Sequence, residues 1–320
     1  MPSELSNADR HELAPLAQRV GADFLRRRLE LESRHAVRVG AAPPHFHLEN
    51  SRAAATLLRI ALTVAGLHGR GRRNVLRIQV RHNAVKLATL PAPFEGYTLL
   101  HLSDLHLDLS EPYLLRLIEC VQGLAYDLCV LTGDFRFRTF GSSLPALDAL
   151  ARLRSHLRPP VYATLGNHDS IRMVPKMEAL DVRVLLNETA TVEREGATLH
   201  LAGIDDPHYF GTHDIRRAAQ DIPRDACAIL LSHAPEPYAE AARAGFALML
   251  CGHTHGGQIC LPGGVPIITE SRAPRAFAKG AWRFGSLVGY TSVGCGASMV
   301  DVRLNCLPEI TLHRLRRAAA

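Results

Sequence analysis

Short apolar runs recur through the middle of this chain, and each ends in a small cluster of glycine, carboxylate, amide or imidazole residues. Tyr97 to Leu102 leads into Ser103-Asp104-Leu105-His106, Leu128 to Leu131 into Thr132-Gly133-Asp134, and Val161 to Leu165 into Gly166-Asn167-His168-Asp169. Further on, Ala228 to Leu231 precedes His233, and Ala247 to Leu250 precedes Gly252-His253-Thr254-His255-Gly256. Runs this short, bounded by turn-forming residues, predict buried strands. Helical periodicity lies between them, at Pro112 to Leu124, Leu144 to Leu157 and Pro237 to Ala244. Val182 to Leu186, Ala190 to Arg194, Thr198 to Ile204, Ser286 to Tyr290 and Val302 to His313 complete a strand-rich second half. Alternating strands and helices followed by strand-rich segments predict a layered α/β fold with two sheets. In such folds functional residues gather beyond the carboxyl ends of the strands, where every cluster here stands.

The first 75 residues have a different texture. They are helix-forming, with a break at Ala42-Pro43-Pro44. Val75 to Val80 then alternates as a half-buried strand would, with Val85 to Leu90 as its hairpin partner across His82-Asn83. Ala53 to Leu67 is amphipathic: Leu57, Ile60, Ala61, Val64 and Leu67 share one helical face, while Arg59, Thr63 and Gly66 lie opposite. This stretch falls short of the roughly 20 apolar residues of a membrane span, and Arg59 interrupts it. Arg70, Arg72 and Arg73 follow at once. The pattern suits a helix packed on the rest of the chain, or a peripheral membrane contact through residues 53–73.

Charge sharpens that contrast. The net charge is +6 over 320 residues, yet residues 1–90 hold 15 Lys+Arg against 7 Asp+Glu, and the remainder is net acidic. A continuous basic groove for nucleic acid is therefore not expected in the part that holds the clusters. The seven cysteines are an odd number without a CxxC pair, which fits a reducing compartment better than a disulfide framework. The first thirty residues show no secretory leader.

The clusters have the chemistry of metal ligands. Asp104 and His106, like His253 and His255, are two apart, so in extended backbone they point to one side. Asp134 offers two carboxylate oxygens, and Asn167 a neutral amide oxygen. A mixed imidazole, carboxylate and amide set without thiolate suits Mn, Fe, Zn, Co or Ni. His168 is the candidate general acid, with Asp169 beside it to orient its ring. Singly, a strand-end histidine is more often a hydrogen-bonded loop residue, and Gly-Asp a common turn; it is the set that points to metal chemistry. Asp205, Asp206 and His208 form either an acidic turn or part of a pocket wall. The N-terminal histidines, including His45 and His47, lack ligand spacing, and no P-loop, dinucleotide fingerprint or Gly-x-Ser-x-Gly motif is present.

From Tyr97 to Leu315 the chain resembles the calcineurin-like metallophosphoesterases, on Ser103-Asp104-Leu105-His106, Thr132-Gly133-Asp134-Phe135, Leu165-Gly166-Asn167-His168-Asp169, Leu231-Ser232-His233-Ala234-Pro235-Glu236 and Gly252-His253-Thr254-His255-Gly256-Gly257-Gln258-Ile259. The resemblance implies a four-layer α/β/β/α sandwich (here with a helical N-terminal extension) and two divalent metal ions, Mn favoured. It implies that Asp104, His106 and His255 hold one ion, that Asn167, His233 and His253 hold the other, that Asp134 bridges, and that His168 stands at the leaving group. Gly203-Ile204-Asp205-Asp206-Pro207 and Pro308-Glu309-Ile310-Thr311-Leu312 are similar to a bacterial branch of small phosphodiesterases that includes UDP-2,3-diacylglucosamine hydrolases. Relatives there often carry an Arg-Gly after the strand near the C-terminus, where this chain reads Thr291-Ser292-Val293-Gly294-Cys295-Gly296. The expected division is a basic helical segment at 1–75 and a phosphoesterase domain at 76–320. The expected activity is hydrolysis of a phosphodiester or pyrophosphate bond, on a substrate such as UDP-2,3-diacylglucosamine. The alternatives are a non-catalytic metal-binding scaffold and a general phosphodiesterase or nuclease on soluble substrates. The expected location is the cytoplasm, including peripheral contact with the inner face of its membrane.

Overall fold

A computed structural model describes residues 7–38 and 52–318. Among the described residues four α-helices come first: α1 (Asn7–Val20), α2 (Ala22–Arg38), α3 (Arg52–Val64) and α4 (His68–Val75). One six-stranded sheet then takes β1 (Gln79–Leu87), β2 (Thr98–Leu102), β3 (Leu128–Thr132), β4 (Val161–Thr164), β5 (Arg183–Val184) and the last strand, β14 (Glu309–Arg317), in the order β1-β14-β2-β3-β4-β5. A second takes β6 (Glu188–Arg194), β7 (Ala197–Gly203), β8 (Ala228–Leu231), β9 (Leu248–Cys251), β12 (Gly280–Phe284) and β13 (Leu287–Thr291), in the order β12-β13-β9-β8-β7-β6. β10 (Cys260–Leu261) and β11 (Val265–Pro266) make a separate small hairpin.

The alternation of side chains along each strand produces the layers. Leu99, Leu128 and Val130 of the first sheet share one core with Leu201, Ile229, Leu231, Leu248 and Leu250 of the second. Their neighbours point the other way, as a period of two requires. Leu100, Leu102, Cys129 and Leu131 meet α1, α2, α5 (Glu111–Gln122) and α6 (Leu144–Arg154). Ala202, Leu230, Met249 and Cys251 meet Ile215 of α8 (Ile215–Ala219) and Ala241 of α9 (Tyr238–Arg243). The sequence is helices, sheet, sheet, helices. Between α6 and α8 lies α7 (Val174–Glu178), which packs on α1. The leucines of the N-terminal helices, Leu13, Leu16, Leu25 and Leu29, are part of the same core as the first sheet.

Several local expectations are corrected. No hairpin forms at His82-Asn83; Gln79 to Leu87 is one strand, and Val75 ends a helix. β1 pairs in parallel with β14 at the other end of the chain, Asn83 lying opposite His313 with Nδ2 3.0 Å from its Nδ1. The His-Asn pair lacks the glycine that a tight hairpin turn favours, and the distant partner was invisible to a local pattern. The last strand starts at Glu309 rather than Val302, and β12 was not foreseen. The face of α3 is also reversed. Leu62, with Leu58 and Ala55 beside it, packs on Val300, Val302 and Leu304, while Leu57, Ile60 and Val64 are 67%, 55% and 85% exposed. The Pro43-Pro44 break and His45 and His47 lie outside the described residues.

Candidate metal centre and active site

The parallel strands β2, β3 and β4 end beside β8 and β9, and the residues just past those ends converge. Asp104, His106, Asp134 and His255 are buried, and one ligand atom from each lies within 4.8 Å of all the others. His255 Nε2 is 3.5 Å from Asp104 Oδ1 and 3.3 Å from His106 Nε2. Adjoining this group, His233 Nε2 stands 2.9 Å from Asn167 Oδ1 and 3.4 Å from Asp134 Oδ2. The His253 ring centroid is 5.0 Å from that of His233. All seven sequence-predicted ligands are thus brought to one place, with Asp134 between the two groups.

The backbone there is unusual. Asp104, His106, Asp134, His253 and His255 all have positive φ, between 40° and 70°. Such values are uncommon outside glycine and are retained where the surroundings over-determine them, which is frequent at functional sites. Close approach is the second device. A Cβ on Gly252 would collide with Ser103 Oγ and Asp104 Oδ2, and one on Gly166 with Asp134. Only glycine lets these loops reach the carboxylates.

The hydrogen bonds fix which ring nitrogen faces the centre. His106 Nδ1 donates to Arg136 O at 2.7 Å, and His233 Nδ1 to Thr132 O at 2.8 Å. Both turn Nε2 toward the centre, His106 to His255 Nε2 and His233 to Asn167 Oδ1 and Asp134 Oδ2, the atoms a cation would share. His253 Nε2 is buried with no hydrogen-bond partner. Arg303, fully buried, donates to Gly296 O at 2.8 Å and to His255 Nδ1 at 3.1 Å. The donor set, with His253 Nε2 left without a partner, fits divalent cations.

Electrostatics agree. Burial, opposed by His233, pushes the Asp104 carboxyl up to about 6. Burial acts on Asp134 too, but His233 and His168 outweigh it and hold that carboxyl well below the usual range. Burial, followed by His168, takes His106 down to about 3, and burial lowers His253 and His255. His233 is the exception: burial lowers it, but Asp134 outweighs burial and raises it well above its ordinary value, so without metal it holds the proton that a bound cation would displace.

His168 is also buried, its backbone N–H donating to Asp134 Oδ1 at 2.9 Å and its ring 5.0 Å from that of His106. Its expected orientation by Asp169 is not what the contacts show. The Asp169 carboxylate accepts from the backbone N–H groups of Asp134, Phe135, Arg136 and Gly166, and it is Thr139 Oγ1 that stands 3.4 Å from His168 Nδ1. Asp169 ties the loop after β4 to the loop after β3. Sequence reasoning missed three buried arginines nearby: Arg303, Arg136 (whose Nε donates to His168 O at 2.7 Å) and Arg28 from α2. A single arginine has no ligand spacing, and Arg28 stands in an Arg26-Arg27-Arg28 run that gives no sign of which one is buried. His208, 2.8 Å from Glu236 through Nδ1, lies beside His253 with ring centroids 4.1 Å apart.

The sequence profile of the Calcineurin-like phosphoesterase family matches residues 97–257, half of the chain and a span that includes all seven candidate ligands. The chain belongs to this family. It is a metal-dependent phosphoric ester hydrolase built on two large sheets. Phosphodiesterase YaeI of Escherichia coli K12 is 29% identical, the match covering 74% of this chain and 87% of that protein. YkuE, an uncharacterized metallophosphoesterase of Bacillus subtilis, is 28% identical over 80% of this chain and 92% of its own. Among solved structures, the sulfate thiohydrolase SoxB of Thermus thermophilus aligns over 71% of this phosphoesterase and 57% of its own chain, at 15% identity and a TM-score of 0.45.

Proposed function

We propose that this phosphoesterase cleaves a phosphodiester or pyrophosphate bond in a lipid-linked substrate, of the kind represented by UDP-2,3-diacylglucosamine. In this reading Asp104, His106 and His255 would hold one divalent ion and Asn167, His233 and His253 the other, with Asp134 shared between them and Mn the favoured metal. When bound, the two ions supply Lewis-acid charge that activates water and neutralises the phosphate oxygens. The chain's own groups do the rest. Asp134 fixes the spacing of the two halves, and His168 carries a proton on its ring to the leaving oxygen. Arg136 and Asp169 hold the loops on which these residues stand.

One observation carries the lipid-linked part. Asp134, His168, His253 and His255 open into a pocket of about 430 Å³ whose other lining residues include Leu58, Ile259, Ile267, Ile268, Met299 and Val300. A phosphate held at the polar end would extend an attached chain along an apolar wall. Exposed Leu57, Ile60 and Val64 on α3, with Arg70, Arg72 and Arg73 beyond, support peripheral membrane contact through residues 53–73. No helix among the described residues is long and apolar enough to cross a membrane. The seven cysteines are all unpaired, which supports a reducing, cytoplasmic location. We keep the basic helical segment at 1–75 and the phosphoesterase domain at 76–320 as the working division.

Hydrolysis of bis-p-nitrophenyl phosphate with added Mn, compared with acylated and unacylated nucleotide pyrophosphates, tests the proposal. Preference for the acylated compound is expected. Equal kcat/KM for both would discard the lipid-linked part and favour a general phosphodiesterase on soluble substrates. Bound metal without hydrolysis of any of these esters would favour the non-catalytic metal-binding scaffold.

A further inference from the structure

The loop that presents Asn167 and His168 has no regular structure between the end of β4 and the turn at Ile171. Its position is set by side chains from elsewhere. On one side Arg136 Nε binds His168 O. The Asp169 carboxylate ties it to the loop after β3, and on its far side α2 supplies three hydrogen bonds. Arg28 Nη2 donates to Asp169 O at 3.1 Å, Ser170 Oγ donates to Glu32 Oε2 at 2.6 Å, and Ile171 N donates to Glu32 Oε1 at 2.7 Å. Arg28 is itself held three ways. Nε donates to Asp205 Oδ2 at 2.9 Å, Nη1 donates to Glu32 Oε1 at 2.6 Å, and the guanidinium lies 3.3 Å from the centroid of the Phe210 ring. Its side chain and that of Asp205 are both 0% exposed.

We infer that Arg28, with Glu32, is a positioning residue for catalysis: α2 sets where Asn167 and His168 stand, without touching substrate. The inference rests on the roles proposed above for those two residues. Arginine is suited to the task because its rigid fork reaches Asp205, Glu32 and the Asp169 carbonyl at once, which a lysine ammonium cannot do. The lever is short, since the carbonyl that Arg28 holds is one residue from His168 and two from Asn167. Catalytic groups must be held to within about half an ångström, and a misplacement of about 1 Å can lower the rate by roughly 100-fold. The helical extension is therefore part of the active-site scaffold, and a helix far from substrate governs the chemical step.

The test uses the full chain with Mn and bis-p-nitrophenyl phosphate, and three variants. Arg28→Met removes the clamp but leaves Asp205 as a buried, unpaired carboxylate, so a loss of stability accompanies any other effect. Arg28→Met/Asp205→Asn removes that orphan charge while the Asp169 carbonyl still lacks its donor. Arg28→Lys keeps the charge and loses the fork. The expected result is a fall in kcat of about 10- to 100-fold with KM within about twofold in all three. The melting midpoint should recover in the double variant and in Arg28→Lys relative to Arg28→Met. Hydrogen exchange on the protein without added metal should show amides 168–171 losing protection while the strands keep theirs. A double variant, or an Arg28→Lys variant where the double does not fold, with wild-type kcat and wild-type protection at 168–171 overturns the inference. Absence of hydrolysis by the wild-type protein with any divalent ion would instead overturn the proposed function, and the exchange measurement would still decide the positioning role.

Discussion

Two parts of the basic N-terminal segment solve opposite problems. α1 and α2 are anchored by Leu13, Leu16, Leu25 and Leu29, and they bury charge. Arg28 is enclosed, and Arg19 binds Glu178 at 2.7 Å and Glu188 at 3.1 Å. α3 is the more apolar helix, yet it leaves Leu57, Ile60 and Val64 in the open and tucks in only a narrow strip around Leu62. Burial here follows partners more than hydrophobicity. A buried arginine with three partners marks a place where structure is being held, and an exposed apolar face beside a pocket marks a place where something is met. One segment, net basic as a whole, both braces the site and leaves an apolar face exposed beside the pocket.

The largest effect is expected where both regions end, at the carboxylate floor of the pocket. Asp134→Asn removes the oxygen that faces His106, His168 and His233 within 3.9 Å. Activity should fall on the order of 1000-fold or more, with bound metal lost, the melting midpoint lowered and the fold retained by circular dichroism. Retention of metal and turnover would show that the two halves of the site do not depend on a common bridge.

This contrast also explains what could be read in advance. The clusters were legible because each ligand group directly follows its own apolar strand, so Asp104, Asp134, Asn167, His233 and His253 needed only strand ends to be placed together. The layers were legible for the same reason, through alternation in runs such as Leu128 to Leu131. What escaped is non-local. β1 finds its partner more than 200 residues away, α3 has apolar residues on two faces and packing chooses between them, and Asp169 sits next to His168 in sequence while bonding to the loop after β3. Arg28, Arg136 and Arg303 act through their hydrogen-bond partners, and no spacing announces that.

A smaller effect separates the two regions by pH. Beneath the site, His101 and His313 are fully buried, Nδ1 of one 3.2 Å from Nε2 of the other, and Thr132 Oγ1 is 2.8 Å from His101 Nε2. Burial lowers His101 to about 3 and His313 well below its usual value. The unfolded chain protonates both near pH 6.5, whereas the folded chain does not. Stability therefore falls as pH drops below 6.5, by about 1.4 kcal/mol per pH unit for each histidine, until the folded value is reached. In metal-free protein, His313→Gln should flatten the urea-midpoint dependence between pH 6.5 and 4.5 by about that amount. An unchanged slope would mean that this buried pair is not what makes the core acid-sensitive.

The smallest change in stability is expected on α3, and that makes it the sharpest test of the comparison. Leu57→Ser, Ile60→Ser and Val64→Ser replace side chains that are more than half exposed, so each should shift stability by no more than about 0.5 kcal/mol. Turnover of bis-p-nitrophenyl phosphate should be unaffected, because none of the three lines the pocket. Sedimentation with vesicles containing anionic lipid should nonetheless fall, and so should kcat/KM for an acylated substrate presented in those vesicles. Leu62→Ser is the internal control: it lies on the packed face of the same helix and should lose stability first. If the three exposed substitutions destabilise as much as Leu62→Ser does, α3 is covered by protein on both faces. If they leave vesicle binding and acylated-substrate turnover untouched, the exposed face is not a membrane contact, and residues 53–73 serve only to wall the pocket.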